Sequence, residues 1–208
     1  MLITCLLGAC SSAWRGTADT LKAALSNPEL PDISREAVLE RPYFQILTQT
    51  HDNQALLILT RVNGSYQYWQ SSAGETLILA NGLIMRTTRL TSNLDQTHFI
   101  GADPFAEGLQ HIDHDISTTR EIDLDQYRYG IKIHSTFHFH DNEKLTIIGE
   151  THEVKRIDEI ISAPAIGLSA TNHYWVDDQG AIWKSTQTLW PGFTVTITQL
   201  RPYEVSFE

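Results

Sequence analysis

Histidine is the first candidate for chemistry in this chain, which carries nine of them. In the run IKIHSTFHFH, residues 131–140, His134, His138 and His140 fall at even positions. In an extended strand they share one face, and His138 and His140 lie about 7 Å apart along it. Such a pair can hold zinc when a third ligand arrives from another element. The same spacing is equally that of a solvent face, because Lys132 and Thr136 share it. A second ligand-rich run, His111-Ile112-Asp113-His114-Asp115, falls in an expected loop, where acidic and imidazole side chains need no metal to explain them. Nucleophile and phosphate-cradle signatures (G-x-S-x-G, H-E-x-x-H, a P-loop) are absent. Ser, His, Asp and Glu are plentiful, but triads and carboxylate pairs are spatial objects that spacing does not identify. No catalytic, cofactor or metal residue is therefore assigned, and a non-enzymatic protein is the expectation.

Sulfur is confined to the front. The two cysteines, Cys5 and Cys10, both lie in the first ten residues. Leu7-Gly8-Ala9-Cys10 has the form of a lipobox, in which the bond before the cysteine is cut and the thiol is acylated. Residues 1–9 are apolar and uncharged, and close on small residues, as the end of a secretory signal does. Such signals run roughly 15–30 residues with a basic start, so 1–9 is expected to be the remnant of a longer one. The other reading is a short buried strand with an incidental thiol. Acylation would anchor the protein firmly, since each buried methylene contributes roughly 0.8 kcal/mol and more than one chain is attached. The remainder, 10–208, contains no further cysteine, which any compartment permits and an oxidising one tolerates.

Composition narrows the partners. A formal net charge of −10 and no basic block argue against nucleic acid, whose phosphates are neutralised by Lys and Arg clusters. No stretch of 18 or more apolar residues occurs, so no helix-length span is expected. Neither linker, repeat nor low-complexity segment divides 10–208, and one domain is expected.

The elements that must position these residues are mostly strands. Residues 10–41 form a helical lead-in. Thr17 or Asp19 can cap a first helix that Asn27-Pro28 ends, and a second piece covers Ser34–Leu39 between Pro31 and Pro42. Beyond Pro42, short β-prone runs at 54–62, 65–70, 76–80 and 83–88 are separated by Asn63-Gly64, Ala73-Gly74 and Asn81-Gly82. Asn-Gly is the strongest short hairpin signal, because it tolerates positive φ, so residues 43–90 read as an antiparallel meander. Asn63-Gly64-Ser65 also fits an N-glycosylation pattern, but its place in a turn explains it.

Residues 91–115, with Asp103-Pro104, read as a loop holding one helical turn. Strands resume at 118–124, 130–140, 144–150, 171–177, 181–188 and 193–200, with Asp141-Asn142 and Asp177–Gly180 as turns. Period-2 alternation in 131–140 and 193–199 predicts one buried and one wet face. About ten strands in one sheet would curl or close, which removes exposed edges. The expected fold class is all-β: an antiparallel meander forming a large curled sheet or barrel, with one or two short N-terminal helices.

Aromatics are the remaining candidate surface. Tyr66, Tyr68, Trp69, Tyr174, Trp175, Trp183 and Trp190 fall on strands or their ends. Exposed, such rings stack on sugars; buried, they are core, and core is the default. Trp69 opposes Tyr66 and Tyr68 in parity, which predicts a strand covered on both faces.

Several blocks together resemble a known family: RPY at 41–43, ALLILTRVNGSYQYWQS at 55–71, NGLIMRTTRL at 81–90, DPFAEGL at 103–109, STFHF at 135–139, NHYWVDDQGAIWKSTQ at 172–187 and LRP at 200–202. In this order, over about 14–203, they are similar to the YjbF/GfcB family of lipoproteins from group 4 capsule and exopolysaccharide loci of Gram-negative bacteria. The resemblance implies a barrel-like fold, outer-membrane attachment through acylated Cys10 and a periplasm-facing domain. It further implies an accessory role in producing or exporting polysaccharide, with other products of the locus, or the glycan itself, as partners. Ser11 after the cysteine fits outer-membrane sorting. No catalytic residue or cofactor comes with it, and a polysaccharide-modifying enzyme with a site in the barrel mouth is the alternative.

Overall fold

Ser34 starts the first described helix. Its hydroxyl accepts from the Ala37 N–H at 3.3 Å, while its own N–H donates to Asp32 Oδ1 at 2.8 Å. This N-cap supports α1 (Arg35–Glu40), and Arg41 then turns extended ahead of Pro42. The computed structural model describes residues 31–126 and 128–203. The helix expected over 17–28, and Cys10 before it, lie outside them.

Strands β1 (Gln45–Gln49), β2 (Gln54–Asn63), β3 (Tyr66–Ser71), β4 (Thr76–Ala80) and β5 (Leu83–Thr88) form the expected meander, with β1 added at its front. At the β4–β5 turn, Asn81 and Gly82 have φ of +48° and +80°, as a two-residue loop with both centres left-handed requires. At the β2–β3 turn the loop is Gly64-Ser65, since Asn63 still pairs with Tyr66. Strands β6 (Leu94–Ile100), β7 (Ile116–Leu124), β8 (Arg128–Ile147), β9 (Glu150–Ala163), β10 (Leu168–Val176), β11 (Ile182–Trp190) and β12 (Phe193–Arg201) complete the sheet. Between β6 and β7 lie α2 (Pro104–Glu107) and a 3-10 turn, Leu109–His111.

Every strand pairs antiparallel with its chain neighbours, except at one seam, and β1 pairs with β12 from Gln45↔Arg201 to Gln49↔Thr196. The seam lies between β5 and β6. There the Leu94 N–H donates to Thr87 Oγ1 at 2.9 Å, and the Leu90 N–H donates to Asn93 Oδ1 at 3.1 Å. The result is a nearly closed, up-and-down twelve-stranded barrel, the all-β architecture expected from the strand runs.

Three expectations are corrected. Residues 91–115 are not only loop and helical turn, since they also contain β6. Asp141-Asn142 is not a turn but an irregularity within the β8–β9 ladder, and the chain reverses at Ile148-Gly149, whose φ values are +42° and +85°. Beyond the last β9–β10 pair, Lys155↔Val176, the β8–β9 hairpin continues as a two-stranded arm from Glu143↔Val154 to Ile147↔Glu150. Strand β3 is not covered on both faces: Trp69 is fully buried, but Tyr66 is 41% exposed on the other side.

Inward side chains fill the barrel in strata. One apolar cluster contains Leu57, Trp69, Ile84, Leu94, Ile122, Ile133, Ile161 and Leu189. A second, at the end where β1 begins, contains Leu83, Phe105, Leu109, Phe137, Ile157, Tyr174 and Val176. Phe105 caps that end, with its ring 5.1 Å from Tyr174 and 5.9 Å from Phe137 in edge-to-face contact. Asp103 holds the capping turn, since its Oδ1 accepts from the Phe105 and Ala106 N–H groups at 2.9 and 3.2 Å.

Candidate functional site

Between the two apolar strata runs a polar one, built by the same alternation. On β7, β8, β9, β10 and β11, Arg120, Ser135, Glu159, Asn172 and Gln187 occupy the inward phase. Arg120 donates to both Glu159 Oε1 and Ser135 Oγ, the latter at 3.0 Å. The Ser135 hydroxyl donates to the same carboxylate oxygen at 2.6 Å. Asn172 Nδ2 and the Tyr174 hydroxyl donate to Glu159 Oε2, each at 2.9 Å. Asn172 Oδ1 accepts from the Thr188 N–H at 2.8 Å, and Gln187 bridges to the Ile84 N–H and Gly82 carbonyl at 2.9 and 2.8 Å.

Burial pushes the Glu159 carboxyl up. The Arg120 charge and the hydrogen bonds from Arg120, Ser135 and Asn172 outweigh it and hold the carboxyl below the usual carboxylate range. Tyr174 is held well above the usual phenol range by burial and by the adjacent carboxylate, so it remains a donor. The space beside Arg120, Thr97 and Asn172 is about 10 Å³, room for about one water. Glu159 is the one fully buried carboxylate among the described residues, and Arg120 and its hydrogen-bond donors occupy both its oxygens. This stratum fastens six strands, β5 and β7 to β11, and leaves room beside Arg120 for about one water.

Sequence reasoning missed these groups, although a signal was present. Arg120 shares phase with Ile122 and Leu124, and Glu159 shares phase with Ile157 and Ile161.

The outer face holds the histidines. They do not converge. His134 Nδ1 lies 3.2 Å from Thr119 Oγ1, His138 pairs with Asp115 at 2.7 Å, and His140 pairs with Asp158 at 2.9 Å. His114 pairs with its neighbour Asp113, and His111 contacts Gln110. Among the described residues no group of three or more His, Cys, Asp or Glu side chains is placed to hold a metal ion.

What the barrel does assemble is a hub that the spacing did not reveal. His138, Asp158 and His173 form one cross-strand row over β8, β9 and β10. Asp158 accepts from His173 at 2.7 Å and from His140 at 2.9 Å, and pairs with Arg156 at 3.2 Å. Partial burial pushes its carboxyl up, but the two imidazole hydrogen bonds and Arg156 bring it below the ordinary value. Beside it, Trp175 donates to Glu143 of the arm and lies under Lys184 Nζ, 5.0 Å from its ring. Trp183 stacks on His152 at 3.6 Å and donates to Asp177 at 2.7 Å. Of the aromatics, Trp69 and Tyr174 are core, while Trp175, Trp183 and Trp190 are half-buried with partners.

These features define a class: an up-and-down antiparallel β-barrel with a filled, internally ion-paired interior, an apolar cap and a polar outer face. The family model described as "Group 4 capsule polysaccharide lipoprotein gfcB, YjbF" matches residues 18–200, and the chain belongs to that family. Its relatives include the "Uncharacterized lipoprotein GfcB" of Escherichia coli K12, 25% identical over 201 residues and 94% of each chain. The "Uncharacterized lipoprotein YjbF" of the same organism is 25% identical over 91% of this chain and 89% of its own. The crystal structure of the hypothetical lipoprotein YmcC from Escherichia coli K12 shares the fold, with a TM-score of 0.75 at 21% identity. That match covers 95% of this chain and all of that one.

Proposed function

We propose that this is a non-enzymatic accessory lipoprotein of capsule or exopolysaccharide production, acylated at Cys10 and held on the periplasmic side of the outer membrane. The mature chain then begins at Cys10, and 10–41 leads into a single β-rich domain. Its partners are the outer-membrane lipid, other products of the polysaccharide locus and the glycan. Family membership supports the setting. The observation that carries the mode of action is the filled interior: with about 10 Å³ free beside Arg120, recognition falls to the exterior and the loops at the capped end. The mouth at the end where β1 begins is occupied by Phe105 and Leu109.

Deleting the gene is expected to lower surface polysaccharide while its biosynthesis continues inside the cell. Unchanged surface polysaccharide overturns the accessory role. Replacing Cys10 by Ala is expected to release the protein from the membrane fraction. Continued membrane fractionation overturns the anchor.

A further inference from the structure

At the capped end, three loops far apart in sequence surround a cleft of about 260 Å³. Asn81 comes from the β4–β5 turn, Glu107 and Gln110 from the segment between β6 and β7, and Gln179 from the β10–β11 turn. Phe105 and Ile182 form its apolar back. Gln110 is seated between two glycines at φ +91° and +88°. A Cβ on Gly108 would lie 2.9 Å from Gln110 Oε1, and one on Gly180 would lie 2.6 Å from Gln110 Nε2. The amide packs against two glycines whose positive φ other residues rarely adopt. Its Nε2 lies 3.1 Å from His111 Nε2, whereas its Oε1 is buried without a hydrogen-bond partner in the protein. A buried acceptor in that condition is costly, and it leaves the N–H side of the amide as the part that faces outward.

We infer that this cleft binds one neutral, hydroxyl-bearing sugar residue of a polysaccharide chain, an inference that rests on the glycan-contacting form of the proposed function. A sugar hydroxyl both donates and accepts. The amides of Asn81 and Gln179 do the same, the Gln110 amide contributes its N–H donors, and the Glu107 carboxylate accepts. The apolar back suits the C–H face of a pyranose. The lining contains no Lys or Arg, and Glu107 stands against a uronate or phosphate, so the class is neutral. The volume falls below the roughly 300–1,000 Å³ that encloses a drug-sized ligand, so the cleft takes one residue of a chain rather than an oligosaccharide.

The test is NMR titration of the isotopically labelled protein with methyl glucoside, methyl galactoside and methyl mannoside, with glucuronate as the charged comparator. At least one neutral glycoside is expected to shift the side-chain amide signals of Gln110 and Gln179 saturably, and glucuronate to shift them at least tenfold more weakly. Gln110→Ala is expected to weaken binding at least tenfold with the amide fingerprint of the barrel unchanged. If that variant does not fold, Gln179→Ala supplies the same comparison. Neutral sugar binding that shifts only signals around Trp175 and Trp183 overturns the site and leaves glycan contact standing. Glucuronate binding as tightly overturns the neutral class. No binding by any glycoside overturns the inference, while the deletion experiment still decides the accessory role separately.

Discussion

Arg120 and Glu159 meet inside the barrel as an ion pair whose side chains are 4% and 0% exposed. The pair stands on β7 and β9 with β8 between them, and Ser135 of β8 completes the bridge. Desolvating two charges offsets most of their attraction, so the pair fixes which strands meet more than it adds net stability. Removing one partner is different, because the other is left buried and uncompensated. Arg120→Met is expected to lower unfolding free energy by about 3–5 kcal/mol. Adding Glu159→Leu removes the uncompensated charge but leaves the Ser135, Asn172 and Tyr174 donors unpaired, so it should recover only part of that loss, and urea unfolding of the two variants checks it. A double variant as unstable as the single one contradicts the argument.

The same carboxylate sets an acid limit. Its folded pKa is lowered, so above the unfolded Glu value of about 4.3 it is charged in both states and its stabilising contribution is complete. As pH falls below that value, the unfolded chain takes up the proton first, and the contribution is lost as pH drops through the folded pKa. Asp158, also lowered, acts in the same direction from near 3.9, with a smaller share because it is partly exposed. Unfolding free energy measured between about pH 2 and pH 6 is expected to fall steeply at the acid end. Glu159→Gln should flatten that slope, and an unchanged slope would assign the acid loss to other carboxylates.

Much of this fold was legible in the sequence because its signals are local. Ser34 between Pro31 and Pro42 marks α1, and Asn81-Gly82 marks a turn whose two φ values bear the reading out. The strands that escaped notice carry misleading chemistry. In β9, ETHEVKRIDEIISA, the polar residues that mask the alternation include Glu159, which faces inward and is neutralised only by Arg120, 39 positions away. In β6, LDQTHFI, the inward phase includes a threonine and the strand pairs on one side through side chains at the β5 seam. The cleft at the capped end was invisible for a different reason. Asn81, Gln110 and Gln179 each look like ordinary turn residues, and only closure of the ring brings their loops together. Asp158 and His173 share a row through cross-strand register, which spacing within one strand does not contain.

Gly82 and Gly64 offer a matched pair for separating backbone strain from crowding. Both sit in hairpin loops at positive φ, +80° and +60°. A Cβ on Gly64 meets nothing within 4 Å, whereas one on Gly82 collides with the Ile182 side chain. Gly64→Ala is expected to cost only the left-handed penalty, about 1–2 kcal/mol. Gly82→Ala should cost about 1–3 kcal/mol more, from overpacking against the half-buried Ile182 side chain. Equal losses in denaturant unfolding would mean that Ile182 gives way without cost.

Phe105 carries the cap on a short turn, so its contribution can be read apart from the sheet. It is 4% exposed and packs edge-on against Tyr174 and Phe137, residues of two different strands. Phe105→Ala removes a nearly fully buried ring packed against strands β8 and β10, and is expected to cost about 3–5 kcal/mol. Phe105→Leu keeps most of the volume and should cost less than about 2 kcal/mol. Because the polar stratum lies beneath the cap, opening it also admits water towards Glu159. Amide exchange around Tyr174 and Glu159 should then quicken in Phe105→Ala more than at the opposite end, around Trp69. Uniform acceleration would show instead that the cap stabilises the barrel globally and does not shield the stratum.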